Sequence, residues 1–361
     1  MAGWRGSLLF LAGVVAMCGL HLAPQQANAK RAPQLRGVML SPNWDRAAPY
    51  GASQADQANE IAAACALGAN LVRLVVNWPI LEPARKAFNP TYVARVDQIL
   101  AGAQACGARA VLTLMSTPCW ASTAAPCWRS PPRKASLYGA AVKWVLRRWG
   151  DQLAAFEVWN EPNQEHFWRG SAARYVRLVK AAGRAADKTR SSVKILAGAL
   201  AGPDTGYLRR LYRRGLRGHD GISIHPYNMK TAGAGAGFAD PAARGAAAGA
   251  GSRAFRLGVP EVRRVMRQRH ERRKRIWLTE FGFAACPASP LCVSEASQAD
   301  WLVKSFQLAA RWRYVRGLTV FSLRDTGPTS EWDYRFGLLR RDFSPRPSYW
   351  ALQATLPTLP P

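Results

Sequence analysis

The stretch Phe156-Glu157-Val158-Trp159-Asn160-Glu161-Pro162-Asn163 reads as an apolar strand that stops at a carboxylate held between an amide and a proline, a residue that cannot continue a strand ladder. A second segment, Ile276-Trp277-Leu278-Thr279-Glu280-Phe281-Gly282, repeats the design: an apolar run ending in a glutamate, followed at once by residues that break it. Glutamates at two strand ends suit the paired carboxyl groups of a hydrolase. They can act together only if the chain around them builds a scaffold that brings the two ends to one place.

From Leu35 onward, short apolar runs alternate with longer amphipathic stretches, as expected of repeated βα units around a parallel sheet. Eight runs read as strands, at 35–40, 71–77, 108–115, 153–160, 193–200, 221–225, 275–280 and 317–323. Helices are expected near 53–66, 90–105, 134–149, 171–188, 205–214, 259–270 and 294–311, with a short one at 347–354 closing the ring. Gly68, Gly107 and Gly150 stand where helices should stop. Eight units in roughly 330 residues match a single (β/α)8 TIM barrel of the α/β class. The rival, a doubly wound open sheet, lacks its credential: Ser41-Pro42-Asn43-Trp44-Asp45 follows the first strand where a Gly-rich phosphate turn would belong. The Gly/Ala tract at 231–258 reads as a loop on the side where barrel sites are built, either a lid or a low-complexity insertion.

Residues 1–29 read as a secretory leader. Arg5 precedes an apolar run at 8–22, and Ala27-Asn28-Ala29 presents small residues two apart for cleavage; residues 30–361 are then the barrel domain. The run is interrupted by Cys18, Gly19 and His21 and is shorter than the roughly 20 apolar residues of a membrane span. Removing the leader takes Cys18 and leaves Cys65, Cys106, Cys119, Cys127, Cys286 and Cys292, an even set in an exported chain, which argues for disulfides. Proximity favours Cys119 with Cys127 and Cys286 with Cys292. Cys65 and Cys106 then pair by elimination or remain buried thiols. None has histidine neighbours at zinc spacing, so no metal or cofactor is expected.

A formal charge of +28 invites a nucleic-acid reading. Against it, the basic residues are scattered along helices (Arg147, Arg148, Arg174, Arg177, Arg263, Arg264) rather than gathered in one arm, and an exported protein rarely meets nucleic acid. What remains is attraction to an anionic polysaccharide or cell envelope.

In a barrel the working side chains sit at the C-terminal ends of strands. Those positions hold Asn77 and Trp78 on the second strand, Trp120 after the third, Asn160 and Glu161 on the fourth, His225 and Tyr227 after the sixth and Glu280 on the seventh. Aromatic rings there suit the C–H faces of sugars; Trp44, Trp78, Trp120 and Trp128 are the candidates, with core packing the alternative for each. Glu157 faces the same way as Glu161 but lies roughly 13 Å deeper, so it suits a buried partner of Arg73 rather than a catalyst. Glu82, Glu165 and Glu331 read as solvated loop residues.

These residues resemble the retaining glycoside hydrolases of the large barrel clan, clan A, that includes cellulase-like and xylosidase-like families. The resemblance is carried by Asn160-Glu161 ending the fourth strand and Glu280 ending the seventh, and it covers nearly the whole mature chain. The form Trp159-Asn160-Glu161-Pro162-Asn163 looks most like family 39 and its relatives, among which hydrolases of bacterial exopolysaccharides occur. It implies Glu161 as general acid/base, Glu280 as nucleophile, Asn160 on the sugar 2-hydroxyl, Arg73 near the nucleophile, and His225 and Tyr227 as the pair after the sixth strand. One departure stands out: Val320-Phe321-Ser322-Leu323-Arg324-Asp325 lacks the tryptophan that many clan members place there, and Trp332 is its candidate substitute. The expectation is an exported, monomeric, cofactor-free retaining hydrolase of a β-linked poly- or oligosaccharide, secreted, periplasmic or envelope-associated, with no anchor after processing. The alternative is a non-catalytic polysaccharide- or envelope-binding barrel.

Overall fold

The computed structural model describes residues 1–3, 33–42, 44–46, 51–229, 237–242, 254–287, 289–328 and 331–360. The expected leader, apart from its first three residues, and most of the 231–258 tract lie outside them.

Eight parallel strands close into a barrel in chain order: β1 (Leu35–Met39), β2 (Leu71–Asn77), β3 (Arg109–Met115), β4 (Leu153–Val158), β5 (Lys194–Ala201), β6 (Gly221–His225), β7 (Arg275–Phe281) and β8 (Val315–Val320). β1 pairs with β2 on one side and β8 on the other, so the sheet has no edge. Around it lie α1 (Gln54–Ala66), α2 (Trp78–Leu81), α3 (Pro90–Ala105), α4 (Ala135–Trp149), α5 (Ala172–Thr189), α6 (Thr205–Arg213), α7 (Val259–Gln268), α8 (Glu295–Ala310) and α9 (Pro347–Thr355). Five helices start where sequence chemistry says they should: Ser53, Asn89, Ser171, Asp204 and Ser294 each accept a hydrogen bond from the backbone N–H three residues on, satisfying a donor the helix leaves orphaned. Gly68 and Gly107 take positive φ, +79° and +80°, past α1 and α3. Gly150 instead opens a 3₁₀ turn before β4. The one-turn α2 was not expected; proline at its second position presets the backbone for a helix start.

The barrel lumen is layered. At its base Leu71, Val111, Ala155, Leu196 and Trp277 pack as a small apolar cluster separate from the main core between strands and helices. Above it comes a polar layer, Arg73 on β2, Thr113 on β3, Glu157 on β4 and Thr279 on β7, all buried. Three disulfides join Cys65 to Cys106, Cys119 to Cys127 and Cys286 to Cys292; the first ties the ends of α1 and α3. Among the described residues no helix is long and apolar enough to cross a membrane.

Candidate active site

Arg73 is the keystone of the polar layer. Its side chain is fully buried, and its Nε and Nη2 donate to Glu157 Oε2 at 2.9 and 2.7 Å. Thr113 and Thr279 hydroxyls donate to the two Glu157 oxygens at 2.7 Å each. Burial alone would push the Glu157 carboxyl up; Arg73, then His225 and the two threonines, outweigh it and hold it below the ordinary carboxylate value. Arg73 is correspondingly held above its own ordinary value, the two carboxylates outweighing its desolvation. The guanidinium also reaches upward, Nη1 to Glu280 Oε1 and Nη2, with its second hydrogen, to Asn160 Oδ1 at 3.0 Å. One cation therefore sets the position of a strand-four amide and a strand-seven carboxylate together.

Glu280 is further held by the Tyr227 hydroxyl, which donates to Oε2 at 2.9 Å. Burial, then the charges of Glu280 and Glu161, hold the Tyr227 hydroxyl well above its ordinary pKa, so it remains a donor. His225 Nδ1 lies 2.8 Å from Glu161 Oε1 and 3.5 Å from Glu280 Oε2. Burial would lower the His225 pKa, but Glu280 and Glu161 outweigh it and the ring is held above its usual value. Glu161 itself sits at φ +43°, and its backbone N–H is fixed by the carbonyl of Ala199 at 2.9 Å.

Glu161, His225 and Glu280 each bring one ligating atom within 4.8 Å of the others. The chemistry of the trio is unsuited to a cation: one Glu280 oxygen is bonded by Arg73 and the other by Tyr227, and the guanidinium charge opposes a metal beside it. What the arrangement offers is two carboxyl groups at one barrel mouth, each oriented by its own donor.

Of the expected site residues, Asn160, Glu161, Arg73, His225, Tyr227 and Glu280 come together. The aromatic platform does not. Trp44 and Trp78 are 1% and 0% exposed, their indole N–H groups donating inward to Val75 O and the Glu82 carboxylate, both at 2.7 Å. They pack outside the strands rather than over the lumen, which corrects their reading as sugar contacts. The Asn77 side-chain amide is engaged by Asp45, donating to its Oδ2 at 2.8 Å. Trp120 is half-buried and donates to the Glu82 carbonyl at 2.8 Å, while Trp128 stands exposed beside His166. Trp332 joins an aromatic chain through Phe336, 6.1 Å away, to Tyr227, a further 5.8 Å. Phe321, at the end of β8, packs edge-on against Tyr227 at 6.0 Å, so phenylalanine occupies the region where a tryptophan is missing.

Sequence reading misassigned Glu82. It is buried and accepts from Trp78 Nε1 and the Lys86 N–H; the Trp78–Glu82 spacing of one helical turn carried that signal. Glu165 and Glu331 are exposed as expected. Thr113 and Thr279 were missed, although both alternate onto the lumen face.

Compared with known proteins, the sequence matches the cellulase family (glycosyl hydrolase family 5) over residues 26–314. No curated protein matches. Among solved structures the barrel is similar to a family 39 glycoside hydrolase from the gut symbiont Bacteroides cellulosilyticus WH2 (TM-score 0.70, 20% identity, covering 89% of this chain and 62% of that one). A monomeric β-xylosidase from Caulobacter crescentus CB15 is also similar (0.67, 19%, 90% and 69%), as is a triple mutant of the endo-β-1,4-glucanase from Xanthomonas axonopodis pv. citri (0.63, 18%, 90% and 99%). The chain thus spans 62% of the length of the first of these, and at such identities the likeness is one of fold. The family match, in contrast, covers most of the sequence, including both strand-end glutamates: the chain belongs to the cellulase family, glycosyl hydrolase family 5.

Proposed function

We propose that this chain is an exported retaining glycosidase that cleaves β-glycosidic bonds in a poly- or oligosaccharide, with Glu161 as general acid and base and Glu280 as nucleophile. The observation that carries the reading is the spacing: an oxygen of Glu161 lies within 4.8 Å of an oxygen of Glu280. That suits double displacement, for which carboxyl groups stand about 5–5.5 Å apart, and leaves no room for the water that inversion places across roughly 6.5–9.5 Å. In the first step Glu161, protonated, gives its proton to the leaving oxygen while the Glu280 carboxylate attacks the anomeric carbon; the glycosidic bond breaks and an ester forms. In the second, ionised Glu161 takes a proton from water, whose oxygen attacks the same carbon and releases Glu280. Arg73 and Tyr227, one on each oxygen of Glu280, hold the carboxylate in place for attack on the anomeric carbon. His225 bonds one oxygen of Glu161, leaving the other to face the leaving group. The Asn160 carbonyl oxygen is taken by Arg73, which leaves its NH₂ as the donor for a sugar hydroxyl.

Export is supported by the leader-like 1–29 and by six cysteines in three disulfides, which suit an oxidising compartment. The xylosidase and glucanase of similar fold make β-linked xylo- and gluco-oligosaccharides the first substrates to screen. Product analysis by mass spectrometry identifies linkage and cleavage pattern, and NMR of the fresh product reports the anomer. Glu161→Gln and Glu280→Gln each lower kcat by roughly a thousandfold or more with an unchanged melting temperature. Full activity in either variant sinks the assignment; an inverted product sinks the double displacement alone.

A further inference from the structure

At the end of the barrel away from Glu161 and Glu280, where helices lead back into strands, α7 and the segments before β7 and β8 form an open surface concavity of about 610 Å³ lined by Arg263, Arg264, Arg267, Arg272, Gln268 and Tyr314, together with Pro260. Among the described residues no acidic side chain lines it. The nearby Glu271 carboxylate is bonded by Lys274 at 2.6 Å and His219 at 3.2 Å, and so does not neutralise the cluster. Arg263 is spent on structure, donating to the Lys274 and Arg272 carbonyls at 2.9 and 2.6 Å. Arg264, Arg267 and Arg272 are exposed, and their side chains make no ion pair or hydrogen bond with described residues. Burial, then the charges of Arg275 and Arg267, lower the Arg263 pKa; the cations repel one another, and a polyanion would relieve that repulsion.

We propose that this concavity is a second carbohydrate site that holds the acidic sugar units of a polyanionic polysaccharide, on the wall opposite the catalytic mouth. Its size lies in the range of about 300–1,000 Å³ usual for ligand pockets, and guanidinium forks pair bidentately with carboxylates. The Tyr314 ring already stacks on Trp312 and lies under Arg263, at 6.1 and 5.6 Å. It therefore offers a hydroxyl rather than an open face, which suits a sugar and not the base stacking that single-stranded nucleic acid needs. The choice of carbohydrate rests on the glycosidase reading above; the anion site itself does not.

The full chain is titrated with polygalacturonate, with the same polymer methyl-esterified, and with oligothymidylate, over a range of NaCl. Arg264→Gln/Arg267→Gln/Arg272→Gln is compared with Arg177→Gln/Arg184→Gln/Arg213→Gln, which removes the same charge from exposed positions on α5 and α6. The pocket triple weakens polygalacturonate binding about tenfold or more and flattens its salt dependence by about two to three counterions, the other triple changes affinity by less than about threefold, and the esterified polymer does not bind. Replacing the three pocket arginines by lysine, which keeps the charge and removes the bidentate fork, restores the salt dependence but only part of the affinity. Equal losses in the two triples overturn the site in favour of diffuse charge, and tighter binding of oligothymidylate overturns the carbohydrate. Glu161→Gln binds polygalacturonate as the wild type does, and absent turnover by the wild-type protein with intact polygalacturonate binding counts against the catalytic reading and not against this one.

Discussion

Arg73 shows how far one side chain can organise a site. Removing a buried charge from its partners leaves them uncompensated at a cost of about 3–5 kcal/mol. Arg73→Met strips the cation from Glu157, whose carboxylate is fully buried with only hydroxyls and the His225 charge left to support it. The expected loss is of that size, and adding Glu157→Gln restores part of it, because no unpaired buried carboxylate then remains at that position. Chemical denaturation of the two singles and the double measures this; strictly additive losses would show that Arg73 and Glu157 are not coupled. The sign with pH follows from the depressed Glu157 pKa: its contribution is present above the unfolded carboxylate value and is lost as pH falls through the lower folded value. In Arg73→Met that acid-side dependence shrinks, since nothing of comparable charge holds the carboxylate ionised. The Arg73 contact was legible, because strand alternation sends Arg73, Glu157 and Glu161 into one lumen. The tryptophans were not: a residue just past a strand can turn inward over the mouth or outward beneath a helix, and nothing local in Trp44 or Trp78 says which.

β5 does at the level of an element what Arg73 does as a residue. Its sequence Ala197-Gly198-Ala199-Leu200 carries an irregularity in the register with β6, with φ of +129° at Gly198 and +44° at Ala199. The bulge turns the Ala199 carbonyl to the Glu161 N–H and its own N–H to the Ser223 hydroxyl, at 2.9 and 2.7 Å. Bulges beside active sites re-aim chain in this way. A Cβ at Gly198 would stand 2.2 Å from the Ser223 carbonyl, and the backbone angle alone costs a non-glycine residue about 1–3 kcal/mol. Gly198→Ala therefore lowers the melting temperature, and because relief of the overlap moves Ala199, it lowers kcat beyond what the lost stability explains at temperatures where the variant is folded. Normal kcat in folded Gly198→Ala would separate the bulge from the position of Glu161. The existence and order of the strands was legible from hydrophobic alternation, and the five capped helices from their Ser, Asn or Asp. The bulge was legible only as a glycine inside a strand, which says that something departs from regularity but not what it serves.

For the whole molecule, the barrel was the most legible level, since eight alternating units admit few closures, and the charge was the least, since composition does not place it. The ion pairs at the surface, such as Arg148 with Asp97 and Lys304 with Asp300, are worth about 0–1 kcal/mol each. They use few of the 50 lysines and arginines, against 22 acidic residues in all. The excess sits on α5, α6 and α7 and around the basic concavity, and its self-repulsion disfavours the compact state. Raising NaCl from about 10 mM to about 150 mM shortens the screening length from roughly 30 Å to roughly 8 Å, which weakens repulsion summed over many distant cations more than it weakens a few close pairs. The melting temperature is therefore expected to rise by several degrees across that range, and to rise less in the triple variant lacking Arg264, Arg267 and Arg272, where part of the repulsion is already gone. A melting temperature that falls with salt would mean that attractive pairs, the buried Arg346–Asp325 and Arg324–Glu60 contacts that fasten α9 and α1 to the end of β8, outweigh the net charge.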